Sequence, residues 1–139
     1  MSFEEKGTWV YTVVTVGAYL AYLSIIIGRA ENVPLAEVSY VSTMLWTIAI
    51  IIALSIAGHI AVAISKPSEA DKSDVRDKEI YRFGEYIGGI VVGVGMVVPL
   101  GLTMAEFDYF WIANAIFLVF VLSGITSSIV KIVAYRRGL

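Results

Sequence analysis

Four long stretches of this chain are almost free of charge, and the charged residues gather between them. Thr8 to Ile27 contains no Asp, Glu, Lys, Arg or His, and His59 is the only residue from Tyr40 to Ser65 that titrates near neutrality. Phe83 to Thr103 carries Glu85 near its start, and Tyr109 to Tyr135 carries Lys131 near its end. A hydrocarbon core about 30 Å thick takes roughly 20 helical residues to cross. The first stretch holds nine Val, Leu and Ile residues, each of which favours insertion by about 0.3 to 0.6 kcal/mol. The pattern predicts an all-α, four-transmembrane-helix bundle in one membrane domain, 1–139. Its spans are expected at about 8–27, 40–65, 83–103 and 109–135, with a charged helical linker at 66–82.

The placement of Lys and Arg orients the bundle. Lys6, Lys66, Lys72, Arg76, Lys78, Arg82, Lys131, Arg136 and Arg137 fall on the side of the two termini, and only Arg29 falls on the other. Basic residues concentrate in short cytoplasmic loops, so both termini are expected inside a cell membrane. Tyr40 and Tyr109 to Trp111 then mark the outer interface, and Trp9, Tyr81, Tyr86 and Tyr135 the inner one. The first span follows Glu4, Glu5 and Lys6 and is too long for a signal-peptide core, so it is expected to be retained. Ala36-Glu37-Val38-Ser39-Tyr40 and Ala105-Glu106-Phe107-Asp108-Tyr109 lead into the second and fourth spans. That likeness suggests two parallel helical hairpins related by an axis along the membrane normal.

Glycine and proline make the third span unusual. Gly84 and Gly88, then Gly89 and Gly93, form two small-xxx-small pairs on different faces. Such pairs let helix backbones approach closely, so this helix is expected to be contacted on both sides, within the bundle or in a homo-oligomer. Pro99 removes one helical hydrogen bond and is expected to kink the outer half. In the linker, Ser73 is expected to cap a helix, and Asp74 and Lys78 make a favourable i,i+4 pair. The linker cations Lys72, Arg76 and Lys78 are candidates for docking a cytoplasmic regulatory protein.

Composition removes several chemistries. The chain has no cysteine and one histidine, and its formal net charge is −2. Disulfides and thiolate metal sites are excluded, and the charge balance gives no basis for direct nucleic-acid binding. The carboxylates at 71, 74, 77 and 79 lack the spacing of a calcium loop. No nucleophile–base pair, phosphate loop or metal-ligand cluster is present, so no catalytic residue, cofactor or metal is expected and the chain reads as non-enzymatic. The candidate binding residues are the polar ones in the spans. His59 lies about 9 Å inside the second span from Ser65 at 1.5 Å per residue, and such groups usually face a bundle interior. Glu85 is the natural partner to weigh for it, but the favoured reading has Glu85 reaching the interface or pairing with Arg82 or Lys131, and Lys131 can also snorkel. Asn114, one turn into the fourth span, is expected to hydrogen-bond another helix.

Several segments resemble a family of uncharacterised four-span bacterial membrane proteins. They are Arg76-Asp77-Lys78-Glu79-Ile80, Arg82-Phe83-Gly84-Glu85-Tyr86, Phe110-Trp111-Ile112-Ala113-Asn114 and Ile132-Val133-Ala134-Tyr135-Arg136-Arg137-Gly138, with Pro34-Leu35-Ala36-Glu37-Val38 and Leu45-Trp46-Thr47 in the first half. The resemblance implies a four-span fold and no defined activity. It suggests association with small helix-turn-helix regulators, which fits a regulatory or accessory subunit working through its cytoplasmic side. The alternatives are a small transporter or channel with a protonatable His59/Glu85 pair, and a protein that binds lipid or another hydrophobic ligand. Small multidrug exporters, which need a carboxylate in the first span, fit poorly, as do small fluoride channels.

The topology has a direct test, because each introduced cysteine is unique in a chain that has none. A membrane-impermeant thiol reagent is expected to label Asn32→Cys or Ala105→Cys in intact cells. Ser73→Cys should react only after permeabilisation, and the reverse pattern would invert the orientation.

Overall fold

The computed structural model describes residues 1–70 and 73–138, so Lys72 lies outside the described residues. Those residues are helical apart from short connections, with no strand among them. In hydrocarbon a backbone N–H or C=O has no water to bond, and the α-helix satisfies both within one segment. Helix α1 (Phe3–Arg29) starts where the Ser2 hydroxyl accepts the Glu5 N–H at 3.1 Å. At its other end the Arg29 guanidinium donates to the Ser39 carbonyl and the Thr43 hydroxyl, both at 2.8 Å. A single 3-10 turn, Leu35–Glu37, carries the chain into α2 (Val41–Ser65).

The linker contains a one-turn helix α3 (Pro67–Ala70), followed by α4 (Val75–Gly95), which runs without a break into the third span. Asp74, not Ser73, is its cap. The Asp74 carboxylate accepts the Val75 N–H at 2.6 Å, and Asp77 accepts the Asp74 N–H at 3.1 Å, a reciprocal capping box. The Asp74 carboxylate is thus engaged by the backbone at its own helix start. The third span is broken at Met96, and α5 (Val97–Met104) completes it. Pro99 cannot donate to the Gly95 carbonyl, and the break falls within one turn before it. Helix α6 (Tyr109–Arg137) returns to the face that carries both termini. The spans α1, α2, α4–α5 and α6 are each long and apolar enough to cross a membrane, which makes this a multi-pass membrane protein with a four-helix bundle.

The spans pack in the order α2, α1, α6, α4, with α5 continuing along α6. Among the described residues α2 has no extensive contact with α4 or α6. The bundle is therefore open between its two flanking helices. A two-fold relating two parallel hairpins would turn the α1–α6 contact into an equivalent α4–α2 contact. The described residues make no such packed contact, so the likeness between 36–40 and 105–109 does not extend to the packing.

The dry core lies in the half farther from the termini, where α1 and α6 meet. Tyr22, Ile26, Val38, Phe110, Phe117 and Val121 form it, and Tyr22 is 1% exposed. Phe117 meets Tyr22 edge-on with ring centres 5.1 Å apart, and Tyr40 meets Phe110 in the same way at 5.4 Å. These are the preferred arrangements of aromatic quadrupoles. The Tyr22 hydroxyl donates to Asn114 Oδ1 at 2.5 Å, and Asn114 Nδ2 donates to the Phe110 carbonyl at 2.8 Å. The amide thus joins α6 to α1 with both of its ends engaged.

Helical periodicity separates the glycines of α4. At 3.6 residues per turn, Gly84, Gly88 and Gly95 fall within about 40° of one another, with Gly89 and Gly93 roughly 100 to 180° away from them. The first three face α6. A methyl at Gly84 would lie 2.5 Å from the Lys131 stem, one at Gly88 3.2 Å from Ser123 and Ser127, and one at Gly95 2.8 Å from Val119. Gly89 and Gly93 meet nothing within 4 Å. Within the bundle α4 is therefore contacted on one of these two sides among the described residues, because it is a flanking helix with a single neighbouring span.

Stability measured by unfolding in mixed micelles should follow this division. Gly95→Ala and Gly58→Ala, which would press a methyl onto Val119 and Val10, are expected to cost about 1 to 3 kcal/mol by overpacking. Gly93→Ala is expected to be neutral or stabilising. A loss at Gly93 similar to that at Gly95 would mean that a second copy packs on this face.

Candidate functional site

The opening between α2 and α4 forms a cavity of about 670 Å³ in the half of the bundle nearer the termini. Its floor is the α1–α6 seam and its walls are the two flanking helices. From α1 come Glu4, Gly7, Thr8 and Tyr11, spaced at helical intervals along one stripe. Helix α2 contributes His59, and α4 contributes Tyr81, Glu85, Gly88 and Gly89. Helix α6 supplies Ser123, Gly124, Ser127, Ser128 and Lys131, again one stripe. The lining is far more polar than the rest of the spans, and the glycines let hydroxyls and backbone approach where a larger side chain would fill the space.

His59 and Glu85 do line one cavity, but they are not a bonded pair among the described residues. Helices α2 and α4 face each other across the opening instead of packing as antiparallel neighbours. The His59 Nδ1 lies 3.0 Å from the Ser55 carbonyl. A carbonyl can only accept, so Nδ1 carries the proton and a neutral ring offers Nε2 as an acceptor. Nε2 sits over Gly7, where a methyl would come within 2.5 Å of it. Gly7 is therefore the residue that lets the imidazole lie against α1.

Glu85 pairs across α4 and α6. Its Oε1 accepts from Lys131 Nζ at 2.6 Å and from the Ser127 hydroxyl at 3.2 Å. The same ammonium lies 4.2 Å from the centre of the Tyr81 ring, within cation–π range. Lys131 is 12% exposed and Glu85 53%. The lysine is thus enclosed, with Gly84 making room for its stem, while the carboxylate keeps one side open to the cavity. Ser123 donates to the Gly88 carbonyl at 2.8 Å, an interhelical bond that fixes the α4–α6 distance just beyond the ion pair.

The other predicted residues divide by position. Asn114 is in the dry core and takes no part in the cavity. Gly84 and Gly88 pack on α6, Gly89 lines the opening, and Gly93 faces outward. Arg76 and Lys78 stand at the start of α4, where an Arg76 nitrogen lies 3.5 Å from the Tyr135 carbonyl. Among the described residues no group of acidic or histidine side chains could hold a metal ion.

Glu85 takes Lys131, one of the partners the sequence offered for it, so that lysine does not snorkel freely. Two features were not anticipated from the sequence. Glu5, 6% exposed, accepts from Arg136 Nε at 2.9 Å and clasps the first helix to the last. The serines at 123 and 127, four residues apart, form a polar stripe, and that spacing was the one signal available for it. No family model, curated protein or solved structure matches the chain.

A double-mutant cycle tests the ion pair. Lys131→Met alone leaves a carboxylate in the span without its cation and is expected to destabilise the protein. Glu85→Gln with Lys131→Met should recover most of the loss, with a coupling of about 1 kcal/mol for a half-exposed pair. Additive losses would show that the two side chains do not act together.

Proposed function

We propose that this is a non-enzymatic membrane protein that binds a small, positively charged polar group in the cavity between α2 and α4. The supporting observation is the balance of charge in that lining. Glu4 and Glu85 supply two carboxylates against the one ammonium of Lys131. These three groups leave the lining with one carboxylate more than it has ammonium groups. Tyr11 and Tyr81 add aromatic surface that suits an ammonium. Glu4 is half-buried and Glu85 half-exposed, so a cation entering the cavity can reach both carboxylates.

Nine of ten basic residues lie on the side of the termini, and the positive-inside rule makes the cavity open toward the cytoplasm. The reading of an accessory subunit that docks a cytoplasmic regulator through Arg76 and Lys78 has weaker support. A mixed-charge helix end is ordinarily a solvated one, whereas four spans converge to build the cavity.

Binding of n-propylammonium to the protein in lipid nanodiscs, followed by NMR titration, tests the proposal. Glu85→Gln is expected to lower affinity about tenfold, as for the loss of one charge interaction of about 1.4 kcal/mol. Glu4→Gln should weaken binding in the same direction. Absence of binding, or an affinity unchanged in both variants, would sink the proposal.

A further inference from the structure

The polar cavity does not end blindly. A second, apolar opening of about 220 Å³ lies between α1, α2 and α6, deeper in the membrane, and the two share Tyr11 and Phe120. Its other walls include Ile48, Ile52, Phe117 and Val121. Their lining residues follow one stripe on each helix: 4, 8, 11 and 15 on α1, 131, 127, 124, 120 and 117 on α6, and 59, 52 and 48 on α2. The openings adjoin at Tyr11 and Phe120, where α2 leans on α1 and leaves its α6 side open, and together they make a groove.

From His59 to Ile48 is eleven residues, roughly 16 Å at 1.5 Å per residue. That is about half of a 30 Å hydrocarbon core, the reach of one acyl chain from one leaflet. The groove is therefore polar at its mouth, apolar along its length, and as long as a single leaflet is deep. One buried hydroxyl along it, that of Thr15, has no hydrogen-bond partner among the described residues. Thr15 is 2% exposed. Other threonines in the spans, Thr8, Thr12, Thr47 and Thr103, satisfy themselves on the carbonyl four residues back. Unpaired buried hydroxyls are costly.

We propose that the groove holds one amine-bearing lipid from the leaflet on the side of the termini. Its ammonium head occupies the cavity of Glu4, His59 and Glu85, and one acyl chain lies between α2 and α6. The proposal rests on the cation-binding reading of the cavity and adds the identity of the ligand. Moving a chain from bilayer to groove gains little hydrophobic free energy, because lipid is as apolar as the groove wall. Selection therefore lies in the head, while the groove fixes where the chain goes.

The test uses the full-length protein in nanodiscs that contain a trace of phosphatidylethanolamine with a diazirine near the end of one chain. Irradiation is expected to label the peptides that hold residues 48–52 and 117–121. Labelling should saturate and should be competed by unlabelled phosphatidylethanolamine, but not by phosphatidylglycerol of the same chains. Ile52→Trp, which fills the groove, should remove the label from 117–121. The wild-type competition arm stands even if that variant does not fold. Unsaturable labelling spread over all the apolar faces, or equal competition by phosphatidylglycerol, would overturn the proposal. If n-propylammonium still binds the cavity in that case, only the lipid assignment falls. If it does not bind, the cation-binding reading falls as well.

Discussion

The contact between the first and last helices organises the molecule. Tyr22 and Phe117 meet edge-on at its centre, Asn114 takes the Tyr22 hydroxyl beside them, and Glu5 grips Arg136 at its end. In a membrane, apolar residues gain nothing by choosing each other over lipid, so helix pairs are selected by shape and by polar groups that need partners. The α1–α6 seam has both. With these two helices fixed in the middle, α2 and α4 can only attach at the sides, and the space between them stays open.

That open space explains the division of the bundle into two halves. Away from the termini, large aromatic side chains fill the seam. Toward the termini, the residues facing the opening become small or hydroxyl-bearing: Gly7, Gly88, Gly124, Ser123 and Ser127. Small residues let the helices close on one another while leaving a cavity above the seam, and each polar group placed there must find a partner or a ligand. Lys131 finds Glu85, Ser127 finds the same carboxylate, and Ser123 finds a backbone carbonyl. His59 commits one nitrogen to Ser55 and keeps the other available. A cavity with one acceptor nitrogen and an unbalanced carboxylate suits a cation, and an apolar groove leading from it suits a chain attached to that cation.

The glycines show how position, not composition, gives a residue its role. Gly84 and Gly89 are five residues apart on one helix, which puts them on opposite sides. One accommodates a lysine stem and the other meets open space. The same applies to the two ionisable residues singled out in the spans. Their depths, read from distance to the helix ends, were right for a meeting. Whether they meet depended on which helices are neighbours, and α2 and α4 are not.

The sequence alone determined the four spans, the kinked third helix and the shared face of the two termini. These follow from local quantities: hydropathy over about twenty residues, the missing proton on Pro99, and an even number of crossings. The need to place Asn114 against another helix was also legible, because an amide in hydrocarbon must find a partner. Only the tertiary structure decided the order α2, α1, α6, α4. With it came the joining of Glu85 to Lys131, the Glu5–Arg136 clasp and the groove that His59 overlooks. A hydrophobic helix in lipid is apolar all round, so its sequence carries little sign of which face meets a neighbour, and pairing is settled by the fit of small residues and polar groups that are distant in the chain.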